Sequence, residues 1–223
     1  MSDLSPGVLF DVDGTLLDTN YLHAVAWWQA MVDAGHRDVS MAAIHRAIGI
    51  ASEGLVEHLL GREDDKAVEA HSDRYEALRE QVGVTAFPGA AELVTRCAEH
   101  GYRAVLATSG KEQDLAWMHP AIGAEESFAG AVTSSDVGEG KPAPDLLTAS
   151  MEKQRLDPAR SLAIGDTVWD VQAARAAGIP CIALTCGGIS AAELTDAGAD
   201  EVYADPAELL ARFDASLLGR RLR

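Results

Sequence analysis

Gly7-Val8-Leu9-Phe10-Asp11-Val12-Asp13-Gly14-Thr15 is an apolar run that stops abruptly in two carboxylates and a glycine. Short continuous apolar runs suit a strand buried on both faces of a parallel sheet, and in such sheets ligands collect beyond the carboxyl ends of the strands. If the chain stays extended through Asp13, the period of two puts Asp11 and Asp13 on one side of the strand end, facing one ligand. Two such acids can hold a hard cation, attack phosphorus or shuttle a proton, or they can close a polar turn through Asx hydrogen bonds. Gly14 lets the backbone turn away sharply. A calcium-binding EF-hand is excluded, because its loop needs Gly at the sixth place and Glu at the twelfth, where Leu16 and Leu22 stand.

Beyond this run the hydrophobic period changes. From Thr19 to about Ser72 the pattern is helical, with Leu22, Val25, Ala26 and Val32 as an apolar stripe and Gly35, Gly49, Gly54 and Gly61 as punctuation. After Phe87-Pro88-Gly89 strands and helices alternate. Helices are predicted near 90–100, 111–118, 144–154 and 167–177, and strands at 102–107, 131–133, 161–165, 181–184 and 201–203. Gly101 and Gly178 sit where helices close in a left-handed cap. The expected fold is α/β: a Rossmann-like parallel sheet with helices on both faces, plus a small all-helical unit inserted after the first strand. The core would comprise 1–17 and 85–223 and the insertion 18–84, with hinges near Leu16–Asp18 and Val84–Pro88.

Three later strand ends carry chemistry of their own. In Ala107-Thr108-Ser109-Gly110-Lys111, hydroxyls and free N–H groups at a helix start form an anion site, or Ser109 serves only as a helix cap. In Gly140-Lys141-Pro142-Ala143-Pro144, the lysine is fixed between a glycine and prolines. It suits a permanent counter-charge for phosphate, or it is a surface lysine before a proline-started helix. In Gly165-Asp166-Thr167-Val168-Trp169-Asp170, two carboxylates lie one helical turn apart. They could complete an oxygen-rich magnesium site or orient Lys141, and Asp166 could also cap its helix. Each signal has a plain structural explanation, but all of them fall at the strand ends of one sheet. Together they supply a nucleophile, a cation site, one lysine and hydroxyl donors, which is what a phosphoryl transition state requires.

Composition narrows the partners. With 223 residues, 48% hydrophobic and 24% charged, the chain suits one globular domain with an insertion. No apolar run approaches the ~20 residues that span a bilayer, so no membrane partner is expected. Met1–Pro6 lacks the basic and apolar regions of a signal peptide, and cytoplasmic residence is the expectation. A net charge of −17 opposes nucleic-acid binding, so any phosphate bound here needs a local cationic site. The basic cluster Gly219-Arg220-Arg221-Leu222-Arg223 reads as a solvated chain end. Cys97, Cys181 and Cys186 form no Cys-x-x-Cys pair and read as buried reduced thiols.

These motifs, in this order, resemble those of the haloacid-dehalogenase-like superfamily of hydrolases over nearly the whole chain. The matching residues are Asp11-x-Asp13-Gly14-Thr15, Thr108 after its strand, Lys141 before Pro142, and Gly165-Asp166-x-x-x-Asp170. The helical insertion looks like that family's small cap. The resemblance implies that Asp11 attacks phosphorus to form an aspartyl-phosphate, and that Asp13 protonates the leaving oxygen and then activates water. It implies Mg2+ held by the Asp11 carboxylate, the Asp13 backbone carbonyl and Asp166, with Asp170 behind them or reaching through water. Thr108 and Lys141 would bind the phosphoryl oxygens, with Ser109 close behind.

Dehalogenases resembling this core usually lack the second aspartate, so Asp13 points to phosphate chemistry. The expected substrate is a small phosphorylated metabolite of the sugar-phosphate or phosphoglycolate type, and the expected state is a monomer or homodimer. Asp18-Thr19, His23 and Trp27 look like the start of the cap in β-phosphoglucomutase and sugar-phosphate phosphatases. Aligning Ile48-Gly49-Ile50-Ala51-Ser52 with the mutase cap loop puts Ser52 where mutases carry an arginine, which weakens the mutase alternative, although Arg46 is close enough to substitute. His23, Arg46 and Ser52 are therefore the candidate contacts to the leaving group. His23 and Trp27 share one helix face, whereas of the adjacent Trp27 and Trp28 only one can face inward. A phospho-receiver module also gathers aspartates, a hydroxyl and a Lys-Pro, but it is about half this size and lacks a helical cap.

Overall fold

In the computed structural model, which describes residues 4–221, the first apolar run forms β1 (Gly7–Phe10) at the centre of a six-stranded, all-parallel sheet. The helical insertion follows as α1 (Asn20–Asp33), α2 (Met41–Ala47), α3 (Ser52–Leu60) and α4 (Asp65–Val82). The alternation then runs α5 (Ala90–Glu99), β2 (Arg103–Ala107), α6 (Leu115–Ile122), β3 (Phe128–Val132), α7 (Asp145–Lys153), β4 (Leu162–Gly165), α8 (Val168–Ala176) and β5 (Cys181–Leu184). It ends with α9 (Ala191–Ala197), β6 (Glu201–Tyr203), α10 (Pro206–Ala211) and α11 (Leu217–Arg220). The strand order is β3-β2-β1-β4-β5-β6, so the chain reverses its winding direction at β1 and opens a crevice beside that strand's carboxyl end.

The period of two divides the core into two layers. Val8 and Phe10 of β1, with Ala104 and Leu106 of β2, pack against α5, α6, α10 and α11. Leu9, Val105 and Ala107 face the opposite layer, formed by α7, α8 and α9. The insertion has its own core, in which Ala24, Trp27 and Met31 form the inward seam of α1 against Ile44, Leu55, Val56 and Ala67. Two strands of chain lead into it, tied by the antiparallel bridge Leu17–Ala86 and by the Asp18 N–H donating to the Thr85 carbonyl at 3.0 Å.

Several expectations need correction. Strand β1 ends at Phe10, because the Leu16 and Leu17 N–H groups turn back onto the Val12 carbonyl. The apolar stripe of α1 is the 24-27-31 seam, while Leu22, Val25 and Val32 are only half-buried and Gly54 lies inside α3. Strand β3 starts three residues before its predicted start, across a register shift opposite Ala104–Val105. The segment from Lys111 opens as a 3-10 turn before α6. Trp27 is buried and Trp28 is 40% exposed, as the helix geometry requires. All three cysteines are free; Cys97 and Cys181 are buried but Cys186 only half so. No helix among the described residues is long and apolar enough to cross a membrane. Of the sequence-based readings at the chain ends, Met1–Asp3 of the N-terminal segment and Leu222–Arg223 of the basic cluster lie outside the described residues.

Candidate active site

Asp11 is the first residue past β1, and its N–H donates to the Ile164 carbonyl of β4 at 2.9 Å, so the sheet ladder itself sets its position. Its carboxylate is ion-paired with the Lys141 ammonium and accepts from the Thr15 hydroxyl at 3.2 Å. Lys141 is only 1% exposed, and its Nζ also lies 2.6 Å from Asp170 Oδ1. The Thr15 hydroxyl is shared, reaching Asp166 Oδ1 at 2.9 Å. Asp166 Oδ2 accepts from the Asn20 amide at 2.7 Å. Asp170 caps its own helix, accepting from the Thr167 N–H at 3.0 Å, so both of its oxygens are engaged.

Asp11, Asp166 and Asp170 thus offer oxygens within 4.8 Å of one another, all buried, against a single lysine. Burial and the neighbouring carboxylates push Asp11 up to about 7, even though Lys141 pulls the other way. Burial, Asp11 and Asp170 push Asp166 well above its ordinary range. Lys141 loses solvation through burial, yet Asp11 and Asp170 more than offset that loss and raise its pKa, so it stays charged. Three carboxylates against one ammonium leave an excess of negative charge in a dehydrated space, and a divalent oxygen-preferring cation fits that need. Asp11 and Asp166 each make two polar contacts and share the Thr15 hydroxyl, against three at Asp170, so they are the more open pair for it. Asp170 is already committed to Lys141 and Thr167.

Asp13 stands apart from this cluster and faces the insertion. Burial favours its neutral form, but the His23 imidazole and the Thr19 hydroxyl outweigh burial and hold its carboxyl below the usual range. Thr19 Oγ1 donates to Asp13 Oδ1 at 2.6 Å, and His23 Nε2 lies 3.3 Å from the same oxygen. His23 Nδ1 in turn meets His71 Nε2 at 3.2 Å, with Trp27 stacked on His71 and Tyr75 on His23. Burial, then His23 and Lys111, depress the His71 pKa well below the usual imidazole value.

A cavity of about 950 Å3 opens between the insertion and the strand ends, lined by Asp11, Asp13, His23, Trp27, Ser52 and Ser109 among others. Thr108, Lys141, Asp166 and Asp170 lie beneath its floor, all nearly inaccessible. Thr108 Oγ1 accepts from the Gly110 N–H at 3.0 Å, and the Ser109 hydroxyl donates to the Gly49 carbonyl of the insertion at 2.8 Å. Arg46 is the expectation that fails. Its guanidinium turns outward to Glu193 on α9, with 62% of its side chain exposed, and it lines no part of the cavity. Its direction follows from α2, which docks on the core through the Trp169 indole donating to the Arg46 carbonyl at 2.9 Å and through His45 Nε2 at 3.0 Å from the Gly187 carbonyl.

The sequence pattern assigns no individual side-chain role to Thr15, Thr19, Asn20, His71 or Tyr75. Thr15 stands inside the first motif, and Thr19 and Asn20 lie at the root of α1, where hydroxyl and amide side chains read as ordinary turn and cap chemistry. His71 and Tyr75 sit four apart on α4, which marks a shared face, but nothing in their spacing tells which way that face points.

The sequence profile of the haloacid dehalogenase-like hydrolases matches residues 8–184 of this chain. A phosphoglycolate phosphatase of Yersinia pestis is 31% identical over 211 residues, covering 92% of this chain and 91% of its own. Among solved structures, a hydrolase from Pseudomonas syringae superposes with a TM-score of 0.86 at 34% identity, covering 94% of this chain and 98% of its own. CbbY from Rhodobacter sphaeroides, solved in complex with xylulose-(1,5)bisphosphate, superposes with a TM-score of 0.74 at 25% identity, covering 92% of this chain and 96% of its own.

Proposed function

The chain belongs to the haloacid dehalogenase-like hydrolase family, and from that premise we propose that it is a magnesium-dependent phosphomonoesterase acting through an aspartyl-phosphate on a small phosphorylated metabolite. The observation that carries this reading is the Asp11–Lys141 pair at the end of β1, with Asp166 beside it and the cavity directly above. Mg2+ held by Asp11 and Asp166, with the Asp13 backbone carbonyl, would supply charge neutralisation for the phosphoryl oxygens.

The chain's own residues divide the remaining work. An Asp11 oxygen attacks phosphorus while the bond from phosphorus to the leaving oxygen breaks, and Asp13 delivers a proton to that oxygen. In the second half water attacks the same phosphorus, Asp13 takes the water's proton, and the Asp11–phosphorus bond breaks to release inorganic phosphate. Asp13 is held as a carboxylate beside His23 before substrate binds. The arriving phosphate dianion raises its proton affinity, so it takes up a proton from solvent, delivers it to the leaving oxygen, regains one from the attacking water and returns it to solvent as phosphate departs. Lys141 stabilises charge on the transferring group from a position fixed by Asp170. Thr108 and Ser109 supply the phosphoryl pocket's hydroxyl edge. Residues 18–84 serve as the cap over this chemistry, hinged on the paired strands at Leu17 and Ala86.

A sugar phosphomutase would need a second phosphate clamp from the cap. At the mutase arginine position Ser52 lines the cavity without a charge, Arg46 is engaged by Glu193, and Arg79 of α4, a cap cation that does line the cavity, lies over the Trp117 ring. Hydrolysis is the reading the Ser52 loop supports. Phosphoglycolate and sugar phosphates are the expected substrate class, in keeping with the Yersinia relative. With Mg2+ and a generic aryl phosphate the protein should release phosphate, and Asp11→Asn should lower the rate at least about 10^4-fold. Turnover retained in that variant would remove Asp11 from the mechanism.

A further inference from the structure

The first turn of α1 holds two different carboxylates with two consecutive residues. Thr19 donates to Asp13, and Asn20 donates to Asp166. Asn20 is 2% exposed, and its amide nitrogen also reaches the Gly187 carbonyl, at 3.1 Å, in the loop after β5. Both of the amide's protons are therefore spent, one on a carboxylate and one on backbone, and its rotation is fixed. The packing leaves it no alternative. A Cβ at Gly14 or at Gly187 would collide with both the Asn20 amide and the Asp166 carboxylate, so two glycines shape a slot that holds this pair. Asn20 Oδ1 is buried and without a hydrogen-bond partner among the described residues, although such acceptors are ordinarily satisfied.

We propose that Asn20 is a positioning residue that fixes the rotation of the Asp166 carboxylate and thereby sets the affinity of the cation site. With Oδ1 held by Thr15 and Oδ2 by Asn20, the Asp166 carboxylate cannot swing toward Lys141 and neutralise it in place of Asp11. Partners of this kind behind a metal ligand typically control affinity by about 10- to 100-fold. The same amide's Oδ1 is left as an unpaired acceptor among the described residues.

The proposal rests on the magnesium-dependent reading, and the experiment separates the two. Isothermal titration of the full chain with Mg2+ should show binding in the unmodified protein and a dissociation constant raised about 10- to 100-fold in Asn20→Ala. Activity of Asn20→Ala should recover toward the unmodified kcat at saturating Mg2+, with the loss confined to the KM for Mg2+. His45→Ala removes a neighbouring contact on the Gly187 carbonyl but leaves the Asn20–Asp166 bond, and it should keep the unmodified Mg2+ affinity. Asn20→Leu, which keeps the branched shape of the side chain without a donor, repeats the test if the alanine variant unfolds. In the unmodified protein the side-chain amide resonances of Asn20 should shift on titration with Mg2+. Unmodified Mg2+ affinity in Asn20→Ala or Asn20→Leu, or amide resonances indifferent to Mg2+, overturns the role of Asn20 alone. No Mg2+ binding by the unmodified protein overturns it together with the proposed function.

Discussion

The strand-end cluster and the aromatic wall of the insertion are both buried polar assemblies, but they are built on opposite terms. At the strand ends every carboxylate has a designated partner: Asp11 has Lys141 and Thr15, Asp166 has Thr15 and Asn20, and Asp170 has Lys141 and Thr167. In the wall, rings are stacked face to face while His71 Nδ1 and the Tyr75 hydroxyl are left without partners among the described residues. Charge separation in a dehydrated site demands that each charge be paired, because an unpaired buried charge costs several kcal/mol. The orphan on that side, Asn20 Oδ1, is a neutral amide oxygen. Stacked rings are stabilised mainly by burial and tolerate an orphan atom.

The contrast can be broken most forcefully at Lys141. Replacing it by Met strands Asp11 and Asp170 in the core, and urea denaturation without divalent cation should show a loss of about 3–5 kcal/mol. Phosphate release should fall about 10^2- to 10^3-fold as the counter-charge disappears. Near-unmodified stability and rate would mean that the cluster is not held by this pair.

His71 gives a smaller, pH-dependent effect. Its pKa in the folded state lies below the unfolded value, so the unfolded chain binds the proton first. The contribution of neutral His71 is complete above the unfolded imidazole value of about 6.5 and is lost as pH falls below it, with a slope of at most about 1.4 kcal/mol per pH unit. Urea midpoints from pH 7 to pH 5 should fall more steeply in the unmodified protein than in His71→Gln. Parallel curves would show that His71 carries no such penalty.

The least effect is expected at Arg46. Its ion pair with Glu193 is exposed on both sides, so Arg46→Ala should cost under about 1 kcal/mol in thermal melts and leave kcat intact. A large loss of turnover would return Arg46 to the substrate site.

The two regions also differ in how far the sequence exposes them. Lys141 lies nine residues past the end of β3 and is marked only by its glycine and prolines. Asp11 and Asp166 stand out in the sequence because each directly follows an apolar strand, and in a parallel sheet strand ends converge whatever the distance between them along the chain. The α/β alternation was legible for the same reason, apart from element ends such as that of β1, where a turn onto the Val12 carbonyl stops the strand early. Arg46 was misplaced because its direction depends on how α2 docks against Trp169 and Gly187, contacts that no local period encodes. The inward seam of α1, Ala24-Trp27-Met31, differs from the stripe the pattern suggests because Leu22, Val25 and Val32 are more conspicuous along the sequence yet face partly outward. Asn20 escaped notice because an asparagine at a helix start has an ordinary explanation in capping.

The central claim is that Asp11 itself carries the phosphoryl group between the two halves of the reaction. Rapid acid quench during turnover of a phosphomonoester with Mg2+, followed by peptide mapping, tests it directly. A hydroxylamine-sensitive acyl phosphate on the peptide containing Asp11, lost in Asp11→Asn, is the expected result. Turnover with no phosphorylated peptide at any quench time, or with the phosphoryl group on another residue, would contradict the account.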